Sequence, residues 1–341
     1  MKILHAPENI GGMAGVLARE QSRLGHDAIS YSFQTNHFKF PSDIVLNNPA
    51  SKSEKINKAM KFALEFDVFH FYFGSSLLGS GLQDVKWLSK LGKKIFFYFC
   101  GCDIRDEKTT IMKYPISACQ ECFPKLCSAN RQLAHDIAQK YGEINFVSTP
   151  DLLEFVERSV LLPQVVDFDI IDEIKNENKV DRVKQKDRLT IAHAPTNRLI
   201  KGTKYIIDTV ESLKSEGLNI ELLLIENMTH KDALHSYMNA DLAIDQLLVG
   251  SYGLLTAELM ALGVPTVVYL REDLLEKYDE APPLINANPY NLKDIIKNIY
   301  NNREMLHSYN QRGEEYALKY HHPVPLAIKC LEYYDHDNKK K

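Results

Sequence analysis

The sequence predicts an α/β protein with two Rossmann-like domains, and three observations lead to this prediction. Residues 242–270 have the pattern of a buried strand, a glycine loop, a helix and a second buried strand. His-Ala-Pro occurs at 5–7 and again at 193–195, each time after an opening strand and before a loop and a helix. The run 171–188 is highly charged and poor in aromatic residues, which is typical of a solvated linker or a surface helix.

Length and composition exclude several classes of protein. The chain has 341 residues, of which 45% are hydrophobic and 25% charged, so it is long enough for two domains with full cores. The net charge of −4 provides no broad basic field, and we therefore expect no nucleic-acid partner. No apolar run approaches the ~18 residues that span a bilayer, and the chain starts in a strand without a signal-peptide core. We expect a cytoplasmic protein.

The first half opens with a strand that ends at His5, followed by the glycine pair Gly11 and Gly12 and a helix to about Leu24. Glycines at such a turn let the backbone come close to a phosphate or a sugar. Ala28 to Phe33 is the second predicted strand, and 68–74 is the third. Within that third strand, His70 is predicted to be a packed core histidine.

A predicted helix over 51–66 carries lysines among apolar residues. A basic amphipathic helix can lie on an anionic membrane surface, which would suit a lipid-linked acceptor and a position at the inner face of the cell membrane. The alternative is an ordinary surface helix whose apolar stripe packs on the core.

The fourth strand, Ile95 to Phe99, leads into a turn containing Asp103 and Arg105. At the edge of a cleft, Asp103 could orient or deprotonate an acceptor hydroxyl. Alternatively, Asp103 caps the loop and pairs with Arg105. The sequence leaves both interpretations open.

Five of the six cysteines fall between Cys100 and Cys127. The thiols of Cys102, Cys119, Cys122 and Cys127 are numerous enough for a tetrahedral structural zinc site. Because a second Cys-x-x-Cys is absent from the sequence, reduced, packed or redox-active thiols are the alternative. A zinc ion here would be structural, since protein would fill all four positions.

The first half ends with a predicted helix through 129–141, a strand 144–148 and a helix from Pro150. The second half begins with the strand that ends at His193, followed by Arg198, Lys201 and a helix to about 217. An arginine and a lysine supply a guanidinium fork and a point charge suited to a diphosphate. Basic residues at a helix start oppose the helix dipole, so a bound anion explains them better than an exposed surface does.

A helix follows the loop 250–253, and its first backbone N–H groups, from Gly253 and Leu254 onward, would face an anion such as phosphate. Glu258 lies about one turn further along the helix, where its carboxylate would reach the hydroxyls of a ribose. The alternative is an ordinary strand-loop-helix unit in which Glu258 lies on a solvated face.

The segment from Tyr252-Gly253 through Glu258 to Thr266 resembles the GT-B glycosyltransferases, in particular the retaining branch that uses nucleotide-diphosphate sugars (glycosyl transferases group 1). That branch has a Gly-Phe-Gly loop and a Glu-Ala-Met-Ala-x-Gly-x-Pro-Val helix. The family pattern places a first Glu eight positions before the second, and this sequence has Gly250 there. Asp245, at the end of the preceding strand, is our candidate to reach into the same space.

The resemblance extends to three other segments. Gly11 and Gly12 match the opening loop, which in the family faces the cleft near the acceptor and the donor phosphates. Asp103 and Arg105 match a His-Gly-Ser-Asp-x-Arg turn in which cysteines replace His and Ser. Arg198 and Lys201 match a Gly-Arg-Leu…Lys-Gly motif that holds the donor diphosphate, although they stand two residues closer together than usual.

The resemblance implies two Rossmann-like domains that face each other across a cleft. We expect an N-terminal acceptor-side domain over 1–168 with a cysteine-rich excursion at 100–130, a nucleotide-sugar domain over 169–320, and a terminal helix with a disordered tail over 321–341 that returns to the first domain. The predicted reaction transfers a hexosyl-type sugar, with retention of its anomeric configuration, from a nucleotide-diphosphate sugar, with UDP favoured, to a hydroxyl of a glycan, glycolipid or small molecule. Such a reaction would serve the biosynthesis of a cell-surface polysaccharide or glycoconjugate.

No cofactor is expected for catalysis, because two cations and a helix end would neutralise the leaving diphosphate. Two alternatives remain open. One is a catalytically silent nucleotide-sugar-binding subunit, and the other is a nucleotide-sugar hydrolase or epimerase.

Overall fold

The computed structural model describes residues 1–33, 38, 40–46, 51–122, 127, 130–178 and 187–336. Part of the predicted linker (179–186) and the end of the predicted tail (337–341) lie outside the described residues. Within the described ranges, no helix is both long enough and apolar enough to cross a bilayer.

The described strands follow one another along the chain in two groups, one for each sheet. They are β1 Lys2–Ala6, β2 Asp27–Ser32, β3 Ile44–Val45, β4 Val68–Tyr72, β5 Lys94–Phe99, β6 Asn145–Val147, β7 Ser159–Leu161, β8 Leu189–His193, β9 Ile220–Leu224, β10 Leu242–Ile244, β11 Thr266–Val268 and β12 Ile285–Asn286.

Helices connect these strands and cover the sheets. They are α1 Met13–Arg23, α2 Lys52–Glu65, α3 Val85–Lys90, α4 Glu107–Lys113, α5 Ala118–Glu121, α6 Arg131–Tyr141, α7 Phe168–Glu177, α8 Arg198–Lys201, α9 Thr203–Ser215, α10 His230–Tyr237, α11 Leu254–Ala261, α12 Glu272–Leu275, α13 Leu292–Asn301, α14 Met305–Tyr320 and α15 Pro323–Asp335. Two 3₁₀ helices, Ile10–Gly12 and Pro150–Glu154, complete the set, and the second of them replaces the longer helix that the sequence predicts from Pro150.

The chain divides into two compact units. The first unit comprises Met1–Asp106, Cys127–Asp167 and His322–Lys341, and the second comprises Glu107–Leu126 and Phe168–His321. The segment 107–126 therefore packs with the second unit, although the sequence places the whole excursion 100–130 in the first domain. A backbone bond from the Ala118 N–H to the Leu248 carbonyl, 2.8 Å long, explains this placement.

A seven-stranded sheet with the order β3-β2-β1-β4-β5-β6-β7 forms the first unit, and all its paired strands are parallel. Every residue of β4 is buried, as is nearly all of β5. Continuous apolar strands of this kind need helices on both faces of the sheet. His70, on β4, is fully buried, which confirms that it is a core histidine.

The terminal helix α15 belongs to the first unit and packs against α1. Its Tyr334 hydroxyl lies 2.5 Å from Nδ1 of His70, and the Lys94 ammonium donates to the Tyr334 carbonyl at 2.7 Å. Nearer the start of the helix, the Lys329 ammonium donates to the Leu161 carbonyl at 2.9 Å. These bonds attach α15 to β4, β5 and β7 of the first sheet.

The second unit contains a five-stranded parallel sheet with the order β12-β11-β10-β8-β9. The chain runs outward from β8 in both directions, so the strand order reverses between β8 and β10. In open parallel sheets, ligands bind beyond the carboxyl ends of the strands at such a switch point. His193 ends β8 and Ile244 ends β10. We therefore expect a ligand site among the residues that follow these two strands.

The two parallel sheets with covering helices confirm the predicted α/β class.

Candidate functional site

Among the described residues, no side chain caps the backbone amides at the start of α11. Gly253, the residue before the helix, has an extended backbone conformation and no side chain that could accept a hydrogen bond from the first turn. A Cβ added at Gly253 would meet no atom within 4 Å. Because the first N–H groups of a helix lack intrahelical acceptors and carry the positive end of the dipole, this end can receive an anion.

A short chain of hydrogen bonds connects Lys201 to the start of the same helix. Its ammonium is 2.5 Å from Oδ1 of Asp245 and 3.1 Å from Oε1 of Gln246. The other oxygen of Asp245 accepts a 2.7 Å bond from the hydroxyl of Thr256, in the first turn of α11. A cation and an uncapped helix end therefore lie close together at the switch point of the sheet.

Asp245 itself has a defined structural role. Its side chain is fully buried, and both its carboxylate oxygens have partners, Lys201 on one side and Thr256 on the other. The sequence suggests that Asp245 reaches toward a donor sugar in place of the missing carboxylate. That role stays a prediction; in the structure, both oxygens of Asp245 bond to protein groups, and one of them holds the Lys201 ammonium.

Arg198 is more exposed than Lys201 and pairs with a different carboxylate. Its guanidinium makes a two-pronged bond to Glu226, with distances of 2.8 and 2.6 Å. Glu226 follows β9 in the loop 225–229. The hydrogen bond and charge of Glu226 raise the pKa of Arg198 above its ordinary value.

Glu258 is mostly buried and lies in the middle of α11. Its Oε1 is 2.7 Å from Nε2 of His230, the first residue of α10. The side chain of Glu258 is 8% exposed, which contradicts the alternative of a solvated helix face.

Gly250 is a site where the backbone requires glycine. Its φ is +85°, and a Cβ there would lie 2.6 Å from Cγ of Arg271. The Arg271 N–H also donates to the Gly250 carbonyl at 2.9 Å. The stem of Arg271 thus occupies the space into which a side chain at position 250 would extend.

Arg271 is held in turn by two groups. Its guanidinium lies 3.5 Å from the centre of the Tyr114 ring and forms a two-pronged bond with Asp273 at 2.9 and 2.8 Å. Tyr114 belongs to the segment 107–126, which the chain inserts into the second unit. The insertion therefore supplies one of the contacts that hold Arg271 beside Gly250.

In the first unit, the glycine loop after β1 has a left-handed backbone. Gly11 and Gly12 have φ values of +59° and +78°, and Gly12 precedes α1 without a side-chain cap. A Cβ at Gly12 would lie 2.9 Å from the Phe40 ring. Since the strand order of the first sheet reverses between β1 and β4, this loop also lies at a switch point.

Asp103 organises the turn after β5. Its carboxylate accepts from the Cys100 N–H at 3.1 Å and from the Gly101 N–H at 2.7 Å, and the side chain is fully buried. Burial raises the pKa of the Asp103 carboxyl to about 6, although these backbone donors and the charge of Arg105 oppose the rise. The carboxylate therefore caps a loop, as the second interpretation of the sequence expects.

Arg105 pairs with Asp151 rather than with Asp103, at distances of 3.0 and 2.6 Å. Asp151 follows β6 and is almost completely buried. The sequence gives no sign of this pairing, because the two residues come from different loops.

All six cysteines lie within the described residues, and none of them forms a disulfide bond there. Cys119 and Cys122 belong to the second unit, and Cys102 and Cys127 to the first. Across the part of the chain that the structure describes, no group of three or more His, Cys, Asp or Glu residues is arranged to hold a metal ion. Zinc binding by these cysteines stays a prediction, which metal analysis of the purified protein would check.

The sequence offers no local signal for His230, Arg271 or Thr256. His230 and Glu258 are 28 positions apart and Arg271 follows Gly250 by 21, so no spacing within one element connects them. The repeated His-Ala-Pro motif did indicate His193, but its ring is used internally. Its two nitrogens lie 2.7 Å from the Ile244 carbonyl and 2.8 Å from the Thr203 hydroxyl, and burial lowers its pKa to about 4.

No protein-family model matches the sequence, and no curated protein matches it. Several solved structures are similar in fold. HepE from Anabaena, solved with UDP-glucose, is 12% identical with a TM-score of 0.63, over 98% of this chain and 99% of that chain. Sucrose-phosphate synthase from Thermosynechococcus elongatus is 10% identical with a TM-score of 0.62, over 97% of each chain.

A putative UDP-N-acetylglucosamine 2-epimerase from Listeria monocytogenes is also similar, with 14% identity and a TM-score of 0.53 over 100% of this chain and 98% of that chain. At such identities, these likenesses concern the fold. They confirm that the chain has the predicted GT-B fold with two Rossmann-like domains.

Proposed function

We propose that this protein is a glycosyltransferase that moves a sugar from a nucleotide-diphosphate donor, with UDP preferred, to an acceptor hydroxyl. The observation that carries the proposal is the hydrogen-bonded chain from Lys201 through Asp245 to Thr256 beside the uncapped start of α11. This arrangement provides a cation and bare amides at the switch point of the second sheet. Support for UDP comes from the similar HepE structures, which contain UDP and UDP-glucose.

The chemistry follows from charge. As the bond between the sugar and the diphosphate breaks, negative charge develops on the leaving phosphate. Lys201 and the amides of Gly253 and Leu254 would stabilise that charge, and Arg198 would add a second cation at a more exposed position. These groups supply the neutralisation for which other enzymes use a divalent metal, so we propose no metal requirement for the transfer.

Glu258 would bind the ribose hydroxyls, and Gly11, Gly12 and Arg105 would lie on the acceptor side. Asp103 is our candidate for orienting or deprotonating the acceptor hydroxyl, while Asp245 acts through Lys201. We further propose retention of anomeric configuration, a hexosyl donor, and a role in polysaccharide or glycoconjugate biosynthesis in the cytoplasm. Retention rests on the family resemblance, which Gly250 interrupts.

The lysine-bearing helix α2 supports a peripheral membrane position for a lipid-linked acceptor. Its Ala59, Phe62 and Ala63 are buried, as an ordinary surface helix requires. Met60 and Leu64, on another face of the same helix, are 57% and 86% exposed. The buried residues fit an ordinary surface helix, and the exposed pair supports the proposed membrane contact.

A nucleotide-sugar epimerase or hydrolase is the second candidate, favoured by the fold likeness to the Listeria protein and by the absence of the first family glutamate. The experiment incubates the full chain with UDP-glucose, UDP-N-acetylglucosamine and UDP-glucuronate, with and without glycan and glycerol acceptors, and identifies the products by mass spectrometry. We expect UDP and a glycosylated acceptor, formed only when acceptor is present.

Each other outcome replaces the proposal. Free sugar without acceptor would identify a hydrolase, and an altered donor without acceptor would identify an epimerase. UDP binding without any product would identify a silent subunit. A chain that binds no UDP or UDP-sugar would contradict the donor site itself.

A further inference from the structure

The contact between His230 and Glu258 has the geometry of a positioned donor and its acceptor. Nε2 of His230 lies 2.7 Å from Oε1 of Glu258, and the two side chains are 16% and 8% exposed. Hydrogen bonds to ionised groups are stronger than those between neutral groups, especially away from water. The imidazole therefore fixes one oxygen of this carboxylate.

A capped helix start delivers the imidazole. Thr229 precedes α10, and its hydroxyl accepts from the Asp232 N–H at 3.3 Å, so His230 occupies the first position of a regular helix. A side chain on a capped helix keeps its position better than one on a loop. The position of Glu258 is therefore set by two helices, α10 and α11.

The second oxygen of Glu258, Oε2, differs from Oε1 in its contacts. Among the described residues, no hydrogen bond joins Oε2 of Glu258 to a protein group. Glu258 lies about one turn beyond the uncapped start of α11, where the proposed diphosphate would bind. Because one oxygen of the carboxylate is already bonded to His230, the other oxygen can accept a hydrogen bond from a ligand hydroxyl in one defined direction.

The loop 225–229 connects this pair to the candidate phosphate residues. At one end of the loop Glu226 makes the two-pronged bond to Arg198, and just beyond the other end His230 contacts Glu258. Between them Asn227 has a φ of +58°, a left-handed conformation that Asn tolerates better than most residues. A single segment after β9 therefore supplies the partners of two candidate donor-binding residues, Arg198 and Glu258.

We propose that His230 is a positioning residue that makes the donor site specific for ribonucleotides. It aligns Glu258 so that the second oxygen accepts a hydrogen bond from a ribose hydroxyl, and a 2′-deoxyribose would lack that bond. This inference rests on the proposed function, since it assumes that a nucleoside diphosphate binds at the start of α11.

The test compares UDP with 2′-deoxy-UDP by calorimetric titration of the full chain. For the unchanged protein we expect UDP to bind about ten to one hundred times more tightly, the range for one hydrogen bond to a charged group. The variants are His230→Asn and His230→Gln, which differ by one methylene. The Gln amide reaches the position of Nε2 and should keep most of the preference, whereas the shorter Asn amide should reduce it to less than about threefold.

His235→Ala is the matched control, because His235 lies on the same helix and contacts Glu177 at 3.0 Å instead. It should keep the preference of the unchanged protein. A purely structural role for His230 would lower the affinity for both nucleotides equally and leave their ratio unchanged in His230→Asn. That result, or an unchanged protein that binds both nucleotides equally well, would overturn the inference.

The two proposals fail in different ways. If UDP binds and Lys201→Gln weakens it, but the ratio does not depend on residue 230, the role of His230 alone is wrong. If the unchanged protein binds neither UDP nor 2′-deoxy-UDP, the proposed donor site is wrong and this inference fails with it.

Discussion

The ammonium of Lys201 lies 2.5 Å from a carboxylate oxygen of Asp245, and that carboxylate is fully buried. The second oxygen of Asp245 is bonded to Thr256 in the first turn of α11. Asp245 therefore fixes the position of the candidate phosphate-binding cation relative to the helix end. One consequence is that removing Lys201 leaves a buried charge without its partner, which costs stability as well as binding.

Gly250→Ala should destabilise the protein, whereas Gly253→Ala should be tolerated. An alanine at 250 needs a left-handed φ and would place Cβ 2.6 Å from Cγ of Arg271, while the same atom at 253 meets open space. We expect a loss of about 2 kcal/mol or more in the free energy of unfolding for Gly250→Ala and under about 1 kcal/mol for Gly253→Ala. Urea denaturation measures both.

The same geometry predicts that Gly250→Glu does not restore the family site. Its carboxylate would have to displace Arg271 from Tyr114 and Asp273 before reaching a sugar. We expect lower stability and no gain in transfer rate for this variant. A stable Gly250→Glu protein with higher activity would show that the space beside Arg271 is accessible.

Asp103→Asn should raise the free energy of unfolding by an amount that depends on pH. The pKa of the Asp103 carboxyl is about 6 in the folded protein against an ordinary value of 3.8, so between these values the folded state binds more protons than the unfolded chain. The contribution of Asp103 to stability therefore falls as pH rises through this window. Asn retains an oxygen for the Cys100 and Gly101 N–H groups and does not ionise.

We expect the free energies of unfolding of the two proteins to be closest near pH 4, and Asp103→Asn to gain up to about 3 kcal/mol by pH 7. Chemical denaturation at a series of pH values measures this difference, and a constant difference would contradict the assigned shift. If Asp103 is also a general base, the same variant should lose about 10²- to 10⁴-fold in transfer rate. Unchanged transfer would leave Asp103 as a loop cap only.

Tyr334→Phe should loosen the attachment of α15. The variant removes the hydroxyl that lies 2.5 Å from Nδ1 of His70, whose Nε2 already has no hydrogen-bond partner. Leaving a buried ring nitrogen unpaired costs about 1–3 kcal/mol. Tyr333→Phe is the control, since Tyr333 is partly buried and its ring meets Phe146 edge-on. Equal stabilities of the two variants in urea would contradict the role of the hydroxyl.

The sequence predicts the fold well because the signals for it are local. Apolar runs such as 95–99 and the punctuation around Gly253 identify the buried strands, the loop and α11 within a residue or two. Lys201 could be singled out because a cation near a helix start is unfavourable without an anion. These arguments need only neighbouring residues.

The remaining features depend on contacts that no local pattern records. Gly250 can be recognised as a departure from a family pattern, but only the structure shows that Arg271 fills its side-chain space. The placement of 107–126 on the second unit depends on the bond from Ala118 to Leu248, between residues far apart in sequence. The pairing of His230 with Glu258 likewise joins two helices that the chain reaches separately.

The binding of UDP to variants of Lys201 tests the central claim most directly. UDP lacks the transferred sugar, so calorimetric titration measures only the contacts of the nucleotide and its diphosphate. The variants are Lys201→Gln, the charge-balanced pair Lys201→Gln with Asp245→Asn, and the control Lys204→Gln, which removes an exposed lysine three positions away.

Loss of a charged phosphate contact should lower the affinity for UDP by about 10- to 100-fold in both Lys201 variants. A thermal unfolding curve shows whether the charge-balanced variant is folded. Lys204→Gln should change the affinity by less than about twofold. UDP that binds equally well to the unchanged protein and to the folded, charge-balanced variant would contradict the proposed donor site.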